Sequence, residues 1–176
     1  MTSGEGNEAG GGRVTIRQLP TGVPGLDEIL GGKKISGGFT SLQCTPVGEG
    51  AAAVIVASES GLKRHGRDLS RAVRVTASAA RSQRVYNDPT RYDAMLTQET
   101  TQLALDEAHI TPHNIDIVEL HDAFTVEEVE YLEAMGIAPD GQAVAMLKEG
   151  AFDIGGKVAV SPSGGLIDMG HPIGPT

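Results

Sequence analysis

Two histidines stand where a protein could do chemistry. His121 follows the apolar stretch Ile117-Val118-Glu119-Leu120 and precedes a helical pattern that opens near Thr125. It therefore falls at the C-terminal end of an expected strand, where α/β proteins position functional side chains. His171 lies in Gly170-His171-Pro172-Ile173-Gly174, downstream of Ser163-Gly164-Gly165. Glycine lets the backbone approach a ligand closely, and proline fixes the local turn. A histidine held in this way can serve as a general base near neutral pH. Taken singly, each reads more simply as a loop histidine with no task.

Other patterns carry less. No stretch matches the phosphate loop G-x-x-x-x-G-K-[ST]; Gly32-Lys33 and Gly156-Lys157 lack the upstream glycine and the following Ser or Thr. Gly48-Glu49-Gly50-Ala51-Ala52-Ala53 fits G-x-G-x-x-A, but these glycines precede an expected strand, whereas a dinucleotide fingerprint follows one. His109 and His113 have the spacing of half a zinc site, yet Pro112 breaks the helix that would align them and nothing completes the set. No metal site is expected, and no G-x-S-x-G elbow occurs. Lys63, Arg64, Arg67, Arg71, Arg74, Arg81 and Arg84 hold half of the 14 basic residues. They read as a solvated face in preference to a phosphate contact, because their spacing makes no cradle.

The chain of 176 residues is 39% hydrophobic and 21% charged, which suits a soluble globular protein. Its net charge of −9 argues against nonspecific nucleic-acid binding. No apolar run approaches the ~18 residues of a membrane span. The opening MTSGEGNEAGGG lacks the basic and apolar parts of a signal peptide, so a cytoplasmic location is expected. The lone Cys44 excludes an internal disulfide framework.

The elements that must position the histidines alternate along the chain. Ala51–Ala57 is an apolar run suited to a strand buried on both faces, and 73–77 alternates as a second strand would. Residues 35–42 read as a short strand or loop. A short helix is expected over 58–66. A longer one runs from Pro89 over about 90–108, with Tyr92, Met95, Leu96, Leu103 and Ala104 near helical spacing. A strand follows at 117–120, then a helix at about 126–135 with a Thr125/Glu128 capping box and a stop at Gly136. Residues 141–148 read as a short helix and 157–160 as a strand. The alternation indicates an α/β sheet protein.

Four separated motifs then align. Gly48-Glu49-Gly50-Ala51-Ala52-Ala53-Val54, Val118-Glu119-Leu120-His121-Asp122-Ala123-Phe124, Ser161-Pro162-Ser163-Gly164-Gly165 and Gly170-His171-Pro172-Ile173-Gly174 together resemble the thiolase superfamily over residues 36–176. Glu49 stands where that family usually has Asp. The His-Asp-x-Phe form is similar to the sterol-carrier-protein type of thiolase and its lipid-transfer relatives. The resemblance implies a layered αβαβα thiolase-like fold, here incomplete. It implies action on acyl-CoA thioesters: thiolysis of a 3-ketoacyl-CoA, the reverse Claisen condensation, or the retro-aldol cleavage of some relatives. His171 would activate a nucleophilic cysteine, and His121 would help bind the thioester oxygen. Phe124, Ser163, Gly164, Gly165, Gly170 and Pro172 would line the substrate. No cofactor is implied, because the coenzyme A thioester is itself the substrate. Partners implied are acyl-CoA and either further copies of the chain or a complementary thiolase subunit.

The sequence departs from the pattern at the cysteines. The family's nucleophile and its C-x-G cysteine have no counterpart here, and Cys44 matches a non-catalytic position. The chain stops at Thr176, where relatives continue. The resemblance therefore implies activity only with the missing half supplied; the alternative is a noncatalytic or truncated subunit that binds a partner or acyl-CoA. Leu19–Gly32 resembles the opening of KaiC-like members of the RecA ATPase family, but no phosphate loop follows and ATP binding is not supported. The expected division is a disordered tail over 1–12, a KaiC-like segment or junction over 13–35, the end of a thiolase N-terminal half over 36–88, and a partial C-terminal domain over 89–176.

Overall fold

A computed structural model describes residues 33–36, 39–83, 85 and 92–174. The tail over 1–12, the 13–32 part of the expected junction, Arg84 and Pro89 lie outside them. Strand β1 (Lys34–Ser36) pairs antiparallel with β2 (Phe39–Thr40), and a 3-10 turn follows at Ser41–Gln43. Helix α1 spans Glu59–Arg64, α2 Tyr92–Ala108, α3 Thr125–Ala134, α4 Ala143–Lys148 and α5 Gly165–Met169. Strand β3 (Ile117–Val118) pairs parallel with β4 (Ala159–Val160). The arrangement is mixed α/β.

The helices form where their ends are satisfied. Ser58 Oγ accepts from the Gly61 N–H at 3.1 Å and opens α1. The long helix expected over 90–108 is α2, although its buried residues are Ala94 and Leu105, and Leu103 faces solvent. At α3 the cap differs from expectation. Phe124 is the N-cap, and its N–H donates to Glu127 Oε2 at 3.1 Å. A Thr125/Glu128 box is therefore not formed: phenylalanine has no side-chain acceptor, and the reciprocal acid sits one residue earlier. Gly136, at φ +74°, ends α3 as expected, with Ile137 N–H donating to Leu132 O at 3.0 Å.

That turn drives Ile137 and Ala138 into the core. They join Val118, Leu132, Ala143, Phe152 and Val158, so the core gathers α3, α4 and the parallel pair. Helix α2 packs on the outside of α3. The expected strands at 117–120 and 157–160 shorten to two residues each: Glu119 bonds Ser163 beyond the first, and the Val158 N–H donates to Ala151 O before the second. Helix α5 forms inside a stretch that reads as a glycine-rich loop.

Two expected strands do not form. Residues 51–57 and 73–77 form no regular element and pair with no strand among the described residues. Val54, Ile55, Val56 and Val73 are 83–92% exposed, the opposite of burial on both faces. A strand needs a partner ladder to satisfy its backbone and an adjacent layer to cover its side chains. The main core cluster lies instead among residues 118–158.

Candidate functional site

Strands β3 and β4 are parallel, so their C-terminal ends point the same way and their following loops lie side by side. Glu119 spans the two loops, accepting from the Ser163 N–H at 3.2 Å and the Ser163 hydroxyl at 2.7 Å. Ser161 donates its N–H to Val118 O at 2.7 Å and turns the chain at φ +42°. Gly164, at φ +111°, and Gly165, at φ +59°, complete the reversal into α5. Further along, the buried Asp122 accepts from the Leu166 N–H at 2.7 Å.

A segment far earlier in the chain straps these loops together. Cys44 bridges antiparallel to Phe124, and Phe39 tilts against the Phe124 ring with centroids 5.4 Å apart. Thr45 donates its N–H to Ala123 O at 2.9 Å and its hydroxyl to Leu166 O at 2.6 Å. The His171 N–H donates to Pro46 O at 3.1 Å. Gly50 packs on Pro172, where a Cβ would come within 3.1 Å of the ring. The strap is invisible to motif reading; its one signal is the closeness of Cys44-Thr45-Pro46 to the Gly48–Val54 motif.

The outcome is direct contact between the two histidines. Their ring centroids lie 4.7 Å apart, edge to face at 81°. His121 is exposed and His171 half-buried. Two adjacent imidazoles can polarise a carbonyl and carry a proton. Of the other expected site residues, Gly170 and Pro172 lie in the His171 loop against the strap. Phe124 lies three residues beyond His121 and turns its ring to Phe39. The Ser163 hydroxyl is engaged by Glu119, Gly164 backs onto Asp168 and Met169, and Gly165 lies under the Asp122 carboxylate.

The surroundings are acidic. Burial, and then the charge of Asp122, hold the Glu128 carboxyl above its ordinary range. Burial, followed by neighbouring Glu127, Asp93 and Glu130, raises the Tyr131 phenol. The Cys44 thiol donates to Thr40 O at 3.4 Å. Among the described residues no group of three or more His, Cys, Asp or Glu could hold a metal ion. His109 follows the last residue of α2, at φ +56°, and His113 sits in the following 3-10 turn. A cleft of about 450 Å³ opens between α2 and the end of α3, lined by Gln98, Leu105, His113, Met135 and Ile137, and neither His121 nor His171 lines it. Lys63 pairs with Glu59, and the exposed arginines from Arg64 to Arg81 form no described ion pair.

The model of the thiolase C-terminal domain-like family matches residues 76–176. The chain is 37% identical over 150 residues to the benzoylsuccinyl-CoA thiolase subunit BbsB of Thauera aromatica, covering 85% of this chain and 38% of that protein. It is 35% identical over 161 residues to human sterol carrier protein 2, covering 86% and 28% respectively. It is 32% identical over 161 residues to the acetyl-CoA acetyltransferase of Methanothermobacter thermautotrophicus, covering 90% and 41%. The match thus spans 28–41% of the length of these relatives. No helix among the described residues is long and apolar enough to cross a membrane.

Proposed function

Because the chain belongs to the thiolase C-terminal domain-like family, we propose that it contributes the histidine pair of an acyl-CoA site in a cytoplasmic thiolase-type acyltransferase. The observation that carries this reading is the edge-to-face contact of His121 and His171, 4.7 Å apart, at the C-terminal end of the parallel strands. The names of its relatives, which include a benzoylsuccinyl-CoA thiolase subunit and an acetyl-CoA acetyltransferase, support the substrate class.

In this reading a cysteine thiolate from a complementary thiolase subunit, or from another part of the assembly, adds to the keto carbon of a 3-ketoacyl-CoA. His171 takes the thiol proton, and His121 stabilises charge on the thioester oxygen. The Cα–Cβ bond breaks, its electron pair leaves as the enolate of acetyl-CoA, and that carbon takes up the proton that His171 accepted. The thiol of free coenzyme A then takes the acyl group and regenerates the cysteine. No bound cofactor is needed. Cys44 is not assigned the nucleophile's part, because its thiol is turned to the Thr40 carbonyl.

That Cys44 is the one cysteine of the chain favours a second reading, in which the chain binds acyl-CoA without chemistry. One experiment separates them: acetoacetyl-CoA binding by the 176-residue chain, and thiolysis by the assembly isolated from its source. The enzymatic reading expects binding by the chain and turnover by the assembly, with His171→Ala lowering turnover by about 10²-fold or more. Binding without turnover in any assembly favours the noncatalytic reading. Absence of both overturns the acyl-CoA site altogether.

A further inference from the structure

We propose that Asp122 is a positioning residue for the histidine pair, clamping the loop after β3 to the start of α5. The inference rests on reading the pair as the working site. Asp122 is 3% exposed, and its Oδ1 accepts from the Leu166 N–H at 2.7 Å in a buried bond. A buried carboxylate is costly unless hydrogen-bonded, so this acceptor is strongly held in place.

The other carboxylate oxygen lies over Gly165. A Cβ there would fall inside the carboxylate, and the backbone at φ +59° is one that L side chains avoid. Gly165 therefore leaves the room that Asp122 fills. From this clamp both histidines are one rigid step away. His121 is the preceding residue. On the other side, Leu166 is 4% exposed and anchors α5, and its carbonyl accepts from Gly170 N–H at 2.8 Å, directly before His171.

Each histidine loop also has its own tether to the strap, through Thr45 to Ala123 and through Pro46 to His171. Losing the clamp should therefore relax the spacing of the rings without dissolving the fold. Asn is the same size as Asp and keeps the carbonyl acceptor, so Asp122→Asn should preserve the clamp. Asp122→Ala should release it, and Gly165→Ala should displace it from the opposite side.

The test is nuclear Overhauser contact between the His121 and His171 ring protons in the histidine-labelled full chain, with core methyl signals of Leu132 and Val158 as the control for folding. The expected result is a contact in the wild type and in Asp122→Asn. It should fall at least threefold in Asp122→Ala and Gly165→Ala, with core methyls unmoved. A contact retained in Asp122→Ala overturns the proposal, as does its absence from the wild type. If both disruptive variants unfold, Asp122 is a folding element and the proposal likewise falls. Acetoacetyl-CoA binding measured on the same samples tells this failure from that of the proposed function: ring contact without binding sinks only the latter.

Discussion

The backbone amide of His171 is bonded to the carbonyl of Pro46 at 3.1 Å. The second histidine motif is thus fixed to a strap that belongs to neither motif. The neighbouring Thr45 reaches both sides, with its N–H on Ala123 and its hydroxyl on Leu166. The strap thus ties the two loops together from one side, while the Asp122–Leu166 bond joins them from the other.

The junction predicts a stability effect at Thr45. Thr45→Val keeps the shape but removes the 2.6 Å bond to Leu166 O, leaving that carbonyl short of one donor. The expected loss is about 1–2 kcal/mol, and Thr45→Ser should recover most of it. Urea unfolding of the three proteins measures this. Equal midpoints for all three would show that the strap does not hold the loops.

Leu132 tests where the core lies. It is 1% exposed at the centre of the cluster joining α3, α4 and the parallel strands. Leu132→Ala should cost about 2–5 kcal/mol, a large part of the ~5–15 kcal/mol of an ordinary domain. A loss below about 1 kcal/mol, read from denaturant midpoints, would move the core elsewhere.

Much of this architecture was legible in the sequence where the controlling interactions are local. Ser58 and Gly66 bracket α1, and Gly136 closes α3, because caps act within a few residues. The histidine motifs were legible as patterns on two separate loops. The contact between their rings was not, because it depends on Thr45, Pro46 and Asp122 meeting residues distant in the chain. The strands failed for a related reason. The apolar run at 51–57 states that its side chains favour burial; it does not state which polypeptide supplies the cover. The shift of the α3 cap to Phe124 reflects the Cys44 bridge, which holds Phe124 extended and leaves Glu127 as the acid that reaches its N–H.

Glu128 predicts a pH dependence. Burial first, and Asp122 second, raise its carboxyl above the ordinary 4.5 in the folded chain. Below about 4.5 the group is protonated in both states and costs nothing. As pH rises through the interval between 4.5 and the raised folded value, the folded chain holds the proton that the unfolded chain has lost, so stability falls. Above that interval the full penalty applies. Glu128→Gln should therefore be more stable than wild type at pH 7, by up to about 1 kcal/mol, and should lose that advantage at pH 4. Thermal unfolding at both values measures it. An advantage equal at the two pH values, or a loss at pH 7, would remove the carboxylate as the cause.

Ile55 separates the exposed segment seen here from the buried strand that its composition suggests. The side chain is 92% exposed, and residues 51–57 carry no charge and pair with no strand among the described residues. Ile55→Asp in the chain alone should change stability by no more than about 0.5 kcal/mol. It should also lower self-association, because an uncharged, exposed apolar segment of high strand propensity recruits other chains. Denaturant unfolding and sedimentation velocity of the same two proteins test both expectations. In the native assembly the outcome should reverse if a complementary subunit covers this segment: a buried charge would then weaken assembly strongly. A large loss of stability in the chain alone would instead mean that residues of the chain itself cover Ile55, and the case for an external partner at this segment would end.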